Sequence, residues 1–577
     1  MTLRARPTTR KPHRTGADSD SRRNLYYNLG FGAVVLAALA ILFGAGFATW
    51  YDDHLATVAT VNGEAITKDQ VRTRVKIESF RLDQLAARTQ EQMNLGRISS
   101  ADGQQRLSII SQQKSSVDQL AISREEDTVL LAQLGRQRNV IVTDAQVDAK
   151  LTEEATTAEQ RHAWVISVIP EVSTGATEPT ATQKDAARTK AEGLLAELKG
   201  GTAWDEVVKS SGDSYAATKG DLLYITKAAT TPDPKFVAAV FALAASGLTD
   251  VVEGDDGTFR IGRVSDIIAE AVDANWATRI GEAGIDLKDY RRVLAASVTR
   301  DAIEAQLIKE VVETPSTQRK VSEVFISGSS TSEGGNEVKS RHILYSPKDD
   351  PQGAAQLAAD DPAWAAAEAE AKAAYEKIKS GQADFADLAK KESDDTGSGA
   401  EGGELGWYGP DAGLDTAFAA AIFAPDVKVG DLLQPVRSQF GWHVIQVEGI
   451  RAPAPVRAQQ VVDAARQPGS DFAALAKANS DGSTASAGGD IGWVARYQLD
   501  RQQEDAILGL QAGGVSEVVT TSSGFYVFKV TEVADRLPDA TQAETLRSSA
   551  FTNWYTGIRD DPTKTTIEEL LPGFTSS

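Results

Sequence analysis

Three stretches of this sequence are variants of one another. Gly402-Gly-Glu-Leu-Gly-Trp407 returns as Gly488-Gly-Asp-Ile-Gly-Trp493 and, more loosely, as Lys219-Gly-Asp-Leu222. A short polar loop precedes each: Glu392-Ser-Asp-Asp-Thr396, Ala478-Asn-Ser-Asp-Gly482 and Ser211-Gly-Asp213-Ser214. Ahead of each loop lies a helix-like segment with an apolar pair, Phe385/Leu388, Phe472/Leu475 and Trp204/Val207. Each copy closes on a strand-like run, His443–Val447, Tyr526–Val530 and Phe259–Val264. Each copy runs to about a hundred residues, well above the roughly 20–45 of a solenoid repeat. Each copy is therefore long enough for its own core, and 577 residues leave room for about four domains.

Ahead of the repeats lies a segment of a different kind. From Asn24 to Tyr51 no residue is charged, and Leu29–Thr49 is rich in Leu, Ala, Val, Ile and Gly. About 20 helical residues cross a bilayer core. Tyr26 and Tyr27 precede the stretch, and Trp50 and Tyr51 follow it, where interfacial rings belong. Arg4, Arg6, Arg10, Lys11, Arg14, Arg22 and Arg23 all lie before it, and Asp52–Asp53 come after. The positive-inside rule then puts a short tail in the cytoplasm and the bulk of the chain outside. A cleaved signal peptide, cut near Gly46-Phe47-Ala48, is the competing reading. The apolar run exceeds a signal core of roughly 7–15 residues, which favours an anchor.

Charge and composition narrow the chemistry. The net charge is −21, and because the first 51 residues are basic the remainder is more acidic still. Such a body repels phosphate backbones, so no nucleic-acid partner is expected. No cysteine is present, which excludes disulfides, thiolate metal sites and a cysteine nucleophile. With five histidines, a His-rich metal site is not expected, nor is any cofactor.

Between the apolar segment and the repeats, Val58-Ala-Thr-Val-Asn-Gly-Glu-Ala-Ile-Thr67 reads as a strand, an Asn-Gly turn, a short strand and a helix start. Thr67 with Gln70, and Thr143 with Gln146, have capping-box spacing. Residues 68 to about 138 read as helical, with Ile122, Thr128–Leu131 and Leu134 as an apolar stripe. Val61-Asn62-Gly63 with Ile66-Thr67, and Val142-Thr143-Asp144 with Val147, resemble the N-terminal chaperone region of SurA-type folding factors. A further helical piece runs from Gly284 to about Glu313. In SurA-like chains it would directly follow the first helical block, so the first repeat reads as an insertion at an exposed loop. Thr541–Ile558, with Leu546, Phe551 and Trp554, reads as an amphipathic helix returning to complete the helical domain.

The middle copy carries the most chemistry. It opens on Ser340-Arg-His-Ile-Leu-Tyr345. A helix Pro362–Ser380 follows, with Ala371, Tyr375 and Ile378 on one face and Gly381 at its end. Then come a helix from Asp384, the acidic loop, a strand Glu404–Trp407 and a helix with Leu414, Phe418 and Phe423. The hairpin Leu433–Ser438 and Trp442–Val447, turning at Gln439–Gly441, closes the block. The order β-α-α-β-α-β-β and the motifs Arg341-His-Ile-Leu344, Ser393-x-Asp395, Gly402-Gly-Glu-Leu-Gly-Trp407, Leu414…Phe418 and Gly441-Trp-His443-Val-Ile445 are similar to those of the parvulin family of peptidyl-prolyl isomerases. Leu414 stands where Met is common, and Trp407–Tyr408 where Trp-Phe is usual.

Taken with the apolar segment and the three repeats, the resemblance implies a fold class of α+β: one transmembrane helix, a helical chaperone-like domain and three parvulin-like repeats with antiparallel sheets. It implies His342, Asp395, Ser438 and His443 as the catalytic network, and Leu405, Leu414, Phe418, Phe423 and Phe440 as the substrate-binding surface. Singly, a strand histidine is more often a hydrogen-bonded packing residue; the joint match of both histidines with Asp395 and Ser438 carries the assignment. The implied copies are unequal. In the first, His162 takes the first-histidine position and Asp213 is kept, but Phe259 replaces the closing histidine and Pro232 replaces Leu414. In the third, the first strand and its histidine are missing, Gln503 replaces Phe418 and Tyr526 replaces His443. Both are expected to be inactive and to bind unfolded chains; placement of the middle domain, or decay into spacers, is the alternative.

The expected division is 1–23 basic cytoplasmic tail, 24–51 transmembrane helix, 52–160 helical chaperone region and 161–268 degenerate parvulin-like domain. The helical region returns over 269–335, followed by 336–450 active parvulin domain, 451–536 degenerate parvulin-like domain and 537–577 C-terminal helix and tail. The expected function is a membrane-anchored extracytoplasmic prolyl isomerase and chaperone. Its partners would be unfolded or nascent proline-containing polypeptides and the membrane. A holdase that grips chains without turnover is the alternative.

Overall fold

A computed structural model of the chain describes residues 17–173, 179–211, 214–328 and 335–575. Residues 1–16 of the expected basic tail, and Asp213, lie outside the described residues. The chain forms two compact units, one up to Ile303 together with the residues from Asp561 on, the other Glu304–Asp560. The first unit opens on the helix Ala17–His54, of which Val34–His54 is by length and composition apolar enough to cross a membrane.

In that unit the Asn-Gly turn forms as its sequence requires. Asn62 and Gly63 both take positive φ, joining Thr57–Val61 to Glu64–Thr67. A third strand, Ile567–Glu569, pairs with Thr57–Val61. Thr67 caps the helix Lys68–Asn94 with the full reciprocal box to Gln70, and Thr143 does the same for Asp144–Ala155 with Gln146. The expected single helical run to 138 breaks twice, giving Lys68–Asn94, Ser100–Ser115 and Val117–Gln137. Gly96, at φ +64°, and the new N-cap Ser99 mark the first break.

The helices Asp144–Ala155, Trp276–Glu282 and Leu287–Val311 share a core with Lys68–Asn94 built on Ile77, Phe80, Val147, Trp276, Ile280, Tyr290 and Leu294. The intervening residues leave and return through a two-strand stem in which Thr156–Thr157 pairs with Ala271–Val272. Beyond the stem lies a four-stranded antiparallel sheet.

The middle block forms a second antiparallel sheet, in the spatial order Glu404–Tyr408, Glu337–Tyr345, Trp442–Arg451, Leu432–Arg437. Helices Pro362–Lys379 and Phe385–Glu392 cover one face through Ala367, Ala371, Tyr375, Phe385 and Leu388. The other face holds a smaller apolar cluster around the helix Thr416–Ile422. Two one-turn helices, Pro351–Ala354 and Thr396–Ala400, are added to the expected order.

The third block differs from the expectation. Its first strand is not missing; Ser316–Ser327 supplies it, pairing with Gly524–Arg536 on one side and Asp490–Val494 on the other. Residues 316–327 therefore belong to this sheet and not to a returning helical region, and the middle block is nested between the first and second elements of the third. At the seam, Glu337 accepts hydrogen bonds from Arg451 (2.6 Å) and Arg457 (3.2 Å), tying the middle sheet to the helix Ala454–Ala465. The C-terminal helix Ala540–Arg559 packs through Ala543, Leu546 and Ala550 on Val311, Val312 and Ala495. It is the later strand Ile567–Glu569, not this helix, that joins the N-terminal hairpin.

Candidate active site

Strand register brings the two histidines together. Leu344 lies opposite His443, and His342 is two residues from Leu344, so both histidines project from the same face. Their Nδ1 atoms are 2.8 Å apart, and the rings stack at 5.1 Å between centroids and 20° between planes. His342 Nε2 lies 2.9 Å from Asp395 Oδ2, and His443 Nε2 lies 2.7 Å from Ser438 Oγ. The Phe440 backbone N–H donates to Ser438 Oγ at 3.0 Å.

One arrangement of protons satisfies this row with both rings neutral. Asp395 accepts from His342 Nε2–H, which leaves His342 Nδ1 as an acceptor for His443 Nδ1–H. His443 Nε2 then accepts from the Ser438 hydroxyl. The electrostatics agree at His443. Burial, and then the neighbouring His342, push His443 down to about 3, so it is neutral at physiological pH. The hydrogen bond from His342 holds the Asp395 carboxyl well below the usual carboxylate range. Both histidines and Ser438 are buried.

Sequence reasoning missed Ser398. Its hydroxyl donates to Asp395 Oδ2 at 2.5 Å and lies 3.0 Å from His342 Nε2. The one signal for it was its place three residues after an N-cap aspartate, a spacing too common to single it out.

Beside the row stands the apolar surface. Phe418 meets both imidazoles edge to face, at 5.9 Å from His342 and 5.2 Å from His443. Leu405, Leu414 and Phe423 are partly buried in the cluster that contains Phe418, Ile422 and Ile445. Asp415 caps the helix and fixes its start, accepting from the Ala417 N–H at 2.9 Å. Phe440 stands 40% exposed beyond Ser438. Eight of the nine expected residues are thus joined by these contacts, and Phe440 adjoins them through its backbone N–H. Among the described residues no group of three or more His, Cys, Asp or Glu is placed to hold a metal ion.

A family model for the PPIC-type PPIase domain matches residues 342–449 and 450–532, and a second model of the same description matches 149–266. The chain belongs to the PpiC-type peptidyl-prolyl isomerases. Among its relatives, Chaperone SurA of Saccharophagus degradans is 26% identical over 333 residues, covering 52% of this chain and 72% of that protein. Chaperone SurA of Yersinia pestis is 43% identical over 115 residues, 20% of this chain and 23% of that one. The solved peptidylprolyl isomerase PrsA from Bacillus anthracis is 24% identical over 31% of this chain and 64% of its own, with a TM-score of 0.16, too low to bear on the fold.

With the PpiC-type middle domain as template, the other two blocks can be read position by position. The His342 amide donates to the Gly403 carbonyl; Val165 to Gly220 and Glu323 to Gly489 repeat that bond. Val165, not His162, therefore stands at the first-histidine position of the first block, and register then places Arg260, opposite Ser167, rather than Phe259 at the closing-histidine position. His162 lies three residues earlier, beside a bulge that the middle strand repeats between Lys339 and Ser340, so the two frames agree and the sequence alone does not mark the offset. His162 instead bonds Asp221 at 2.8 Å and stacks on Tyr224 at 4.9 Å. Arg260 is buried and paired with Asp256 at 2.5 Å. In the third block Glu323 takes the first-histidine position and accepts from Thr484 at 2.9 Å. Tyr526 lies opposite Phe325, as His443 lies opposite Leu344.

Proposed function

We propose that the middle domain turns over X–Pro bonds of unfolded or nascent chains, with His342, His443, Asp395 and Ser438 as its polar network. Leu405, Leu414, Phe418, Phe423 and Phe440 form the proline-binding surface in this reading. The observation that carries it is the imidazole pair at 2.8 Å, braced at one end by Asp395 and at the other by Ser438, with Phe418 edge-on to both rings.

The chemistry asks for no nucleophile. Rotation about an X–Pro bond is slow because resonance stiffens it, with a barrier of about 18–20 kcal/mol for peptide bonds in general. A twisted amide has lost that resonance and its charge separation. An apolar slot receives it more readily than the planar, polar ground state, and holds the ring while the carbonyl side turns. The row, with His443 neutral, fixes the walls of the slot through a continuous hydrogen-bond chain.

Around this domain we read three parvulin-like repeats in a SurA-like helical frame, with the division of the chain as expected from the sequence except that 316–327 goes to the third repeat. The first and third repeats lack both histidines and act as binding modules. The apolar helix Val34–His54 supports a single-pass anchor with the catalytic body outside the cytoplasm and secreted or membrane proteins as clients. The intact polar row disfavours a purely passive holdase.

The test is a protease-coupled isomerisation assay on the full chain with a proline peptide. His342→Ala and Leu414→Ala should each lower kcat/KM by roughly tenfold or more. Wild-type rates in both variants would show that the reaction takes place elsewhere.

A further inference from the structure

The first unit contains a cleft of about 530 Å³ that the reading above does not use. One wall is the turn and helix start after Lys68–Asn94, contributing Arg97, Ile98 and Arg106. The other wall is the first repeat, with Leu222, Tyr224 and Pro232. Leu222 and Pro232 align with Leu405 and Leu414, so the cleft lies on the face that forms the slot in the middle domain. The two walls are joined directly: the Tyr224 N–H donates to the Arg97 carbonyl at 3.2 Å, and the Arg97 guanidinium lies over the Tyr224 ring.

The charge of this cleft runs against that of the molecule. The net charge of the chain is −21, yet the cleft is lined by two arginines and one carboxylate. That carboxylate, Asp102, is already bonded by the Ser99 hydroxyl at 2.7 Å. Arg106 is exposed, with no hydrogen-bond or ion-pair partner among the described residues. Arg97 has its aromatic and backbone contacts but no carboxylate among the described residues. Apolar side chains of the slot type, set in a polar cleft beside two arginines that pair with no carboxylate among the described residues, suit an extended polypeptide with an acidic side chain next to an apolar one.

We propose that this cleft binds extended client segments carrying a carboxylate, with Arg97 and Arg106 as its recognition residues. The inference rests on reading the first repeat as a non-catalytic binding module. It gives the molecule a second, chemically distinct grip: proline at the middle domain, acidic segments at the first.

The probe is a fluorescein-labelled, proline-free decapeptide with two glutamates among apolar residues, its Glu→Gln counterpart serving as control. Binding is read by anisotropy on the full chain in detergent micelles. The acidic peptide should bind about three- to tenfold more tightly than the neutral one, a preference lost in high salt. Arg106→Gln should reduce the preference, and Arg97→Gln with Arg106→Gln should abolish it. The Tyr224–Arg97 backbone bond does not need the arginine side chain, and an unchanged melting curve would verify the fold. Equal binding of the two peptides, or a preference that survives the double substitution, overturns the proposal. Isomerase turnover measured on the same samples separates the two readings. If turnover is normal and the preference absent, this inference alone fails. If turnover is absent and the preference present, the catalytic assignment fails and the cleft stands.

Discussion

His443 is a buried base held in its neutral form, and that has a cost with a definite sign. Unfolded, it takes up a proton as pH falls below about 6.5; folded, it resists down to about 3. Between those values the unfolded chain binds the extra proton, so the stability that His443 contributes is complete above 6.5 and drains away as pH falls. Asp395, lowered by its bond from His342, adds a loss of the same sign further into acid. The unfolding free energy of the second unit, read from denaturant titrations, should therefore drop on going from pH 7 to pH 4, by an amount on the order of 2–3 kcal/mol. His443→Gln, which hydrogen-bonds without titrating in this range, should flatten that profile; an unchanged slope in the variant would assign the acid sensitivity to other groups. At this scale the sequence was informative where residues are rare. Two of five histidines at motif positions could be read; Ser398, one serine among many in a polar loop, could not.

The element that positions His342 is held by an unusual approach. Gly403 sits at φ +86°, and a Cβ there would meet the His342 carbonyl oxygen at 2.2 Å. The third block repeats this contact, Gly489 against Glu323 at 2.1 Å. Gly403→Ala and Gly489→Ala should each destabilise their own sheet by about 1–3 kcal/mol. Only Gly403→Ala should also lower kcat/KM in the isomerisation assay, and an equal loss in Gly489→Ala would contradict the division of labour between the blocks. The helices and caps were legible because their signals are local: Thr67 with Gln70 needs no distant partner. The strand Ser316–Ser327 was not, since its partner Gly524–Arg536 lies far along the chain and the middle block comes between them. The offset of His162 was hidden for a related reason: a residue's place in the sheet is set by the neighbouring strands, not by its own run of residues.

For the whole molecule, nesting sets what can stand alone. A fragment of residues 451–536 lacks the strand that sits between Asp490–Val494 and Gly524–Arg536, so its sheet has a gap at its centre. It should remain unfolded by circular dichroism, while the same fragment with residues 312–328 joined through a flexible linker should fold. A cooperative melt from the short fragment would show that the strand is dispensable. The order of synthesis follows from the same layout. Ser316–Ser327 is made about 200 residues before Gly524–Arg536 begins, a delay of roughly 10–40 s at typical translation rates of about 5–20 residues per second. That interval is of the order of an uncatalysed proline isomerisation. Through it the strand lacks this partner, while the middle domain, whose residues are consecutive, is complete at Arg451, about 70 residues before Gly524–Arg536 begins. This folding catalyst is thus finished before its own frame, and the first incomplete chain within its reach is the one still being made behind it.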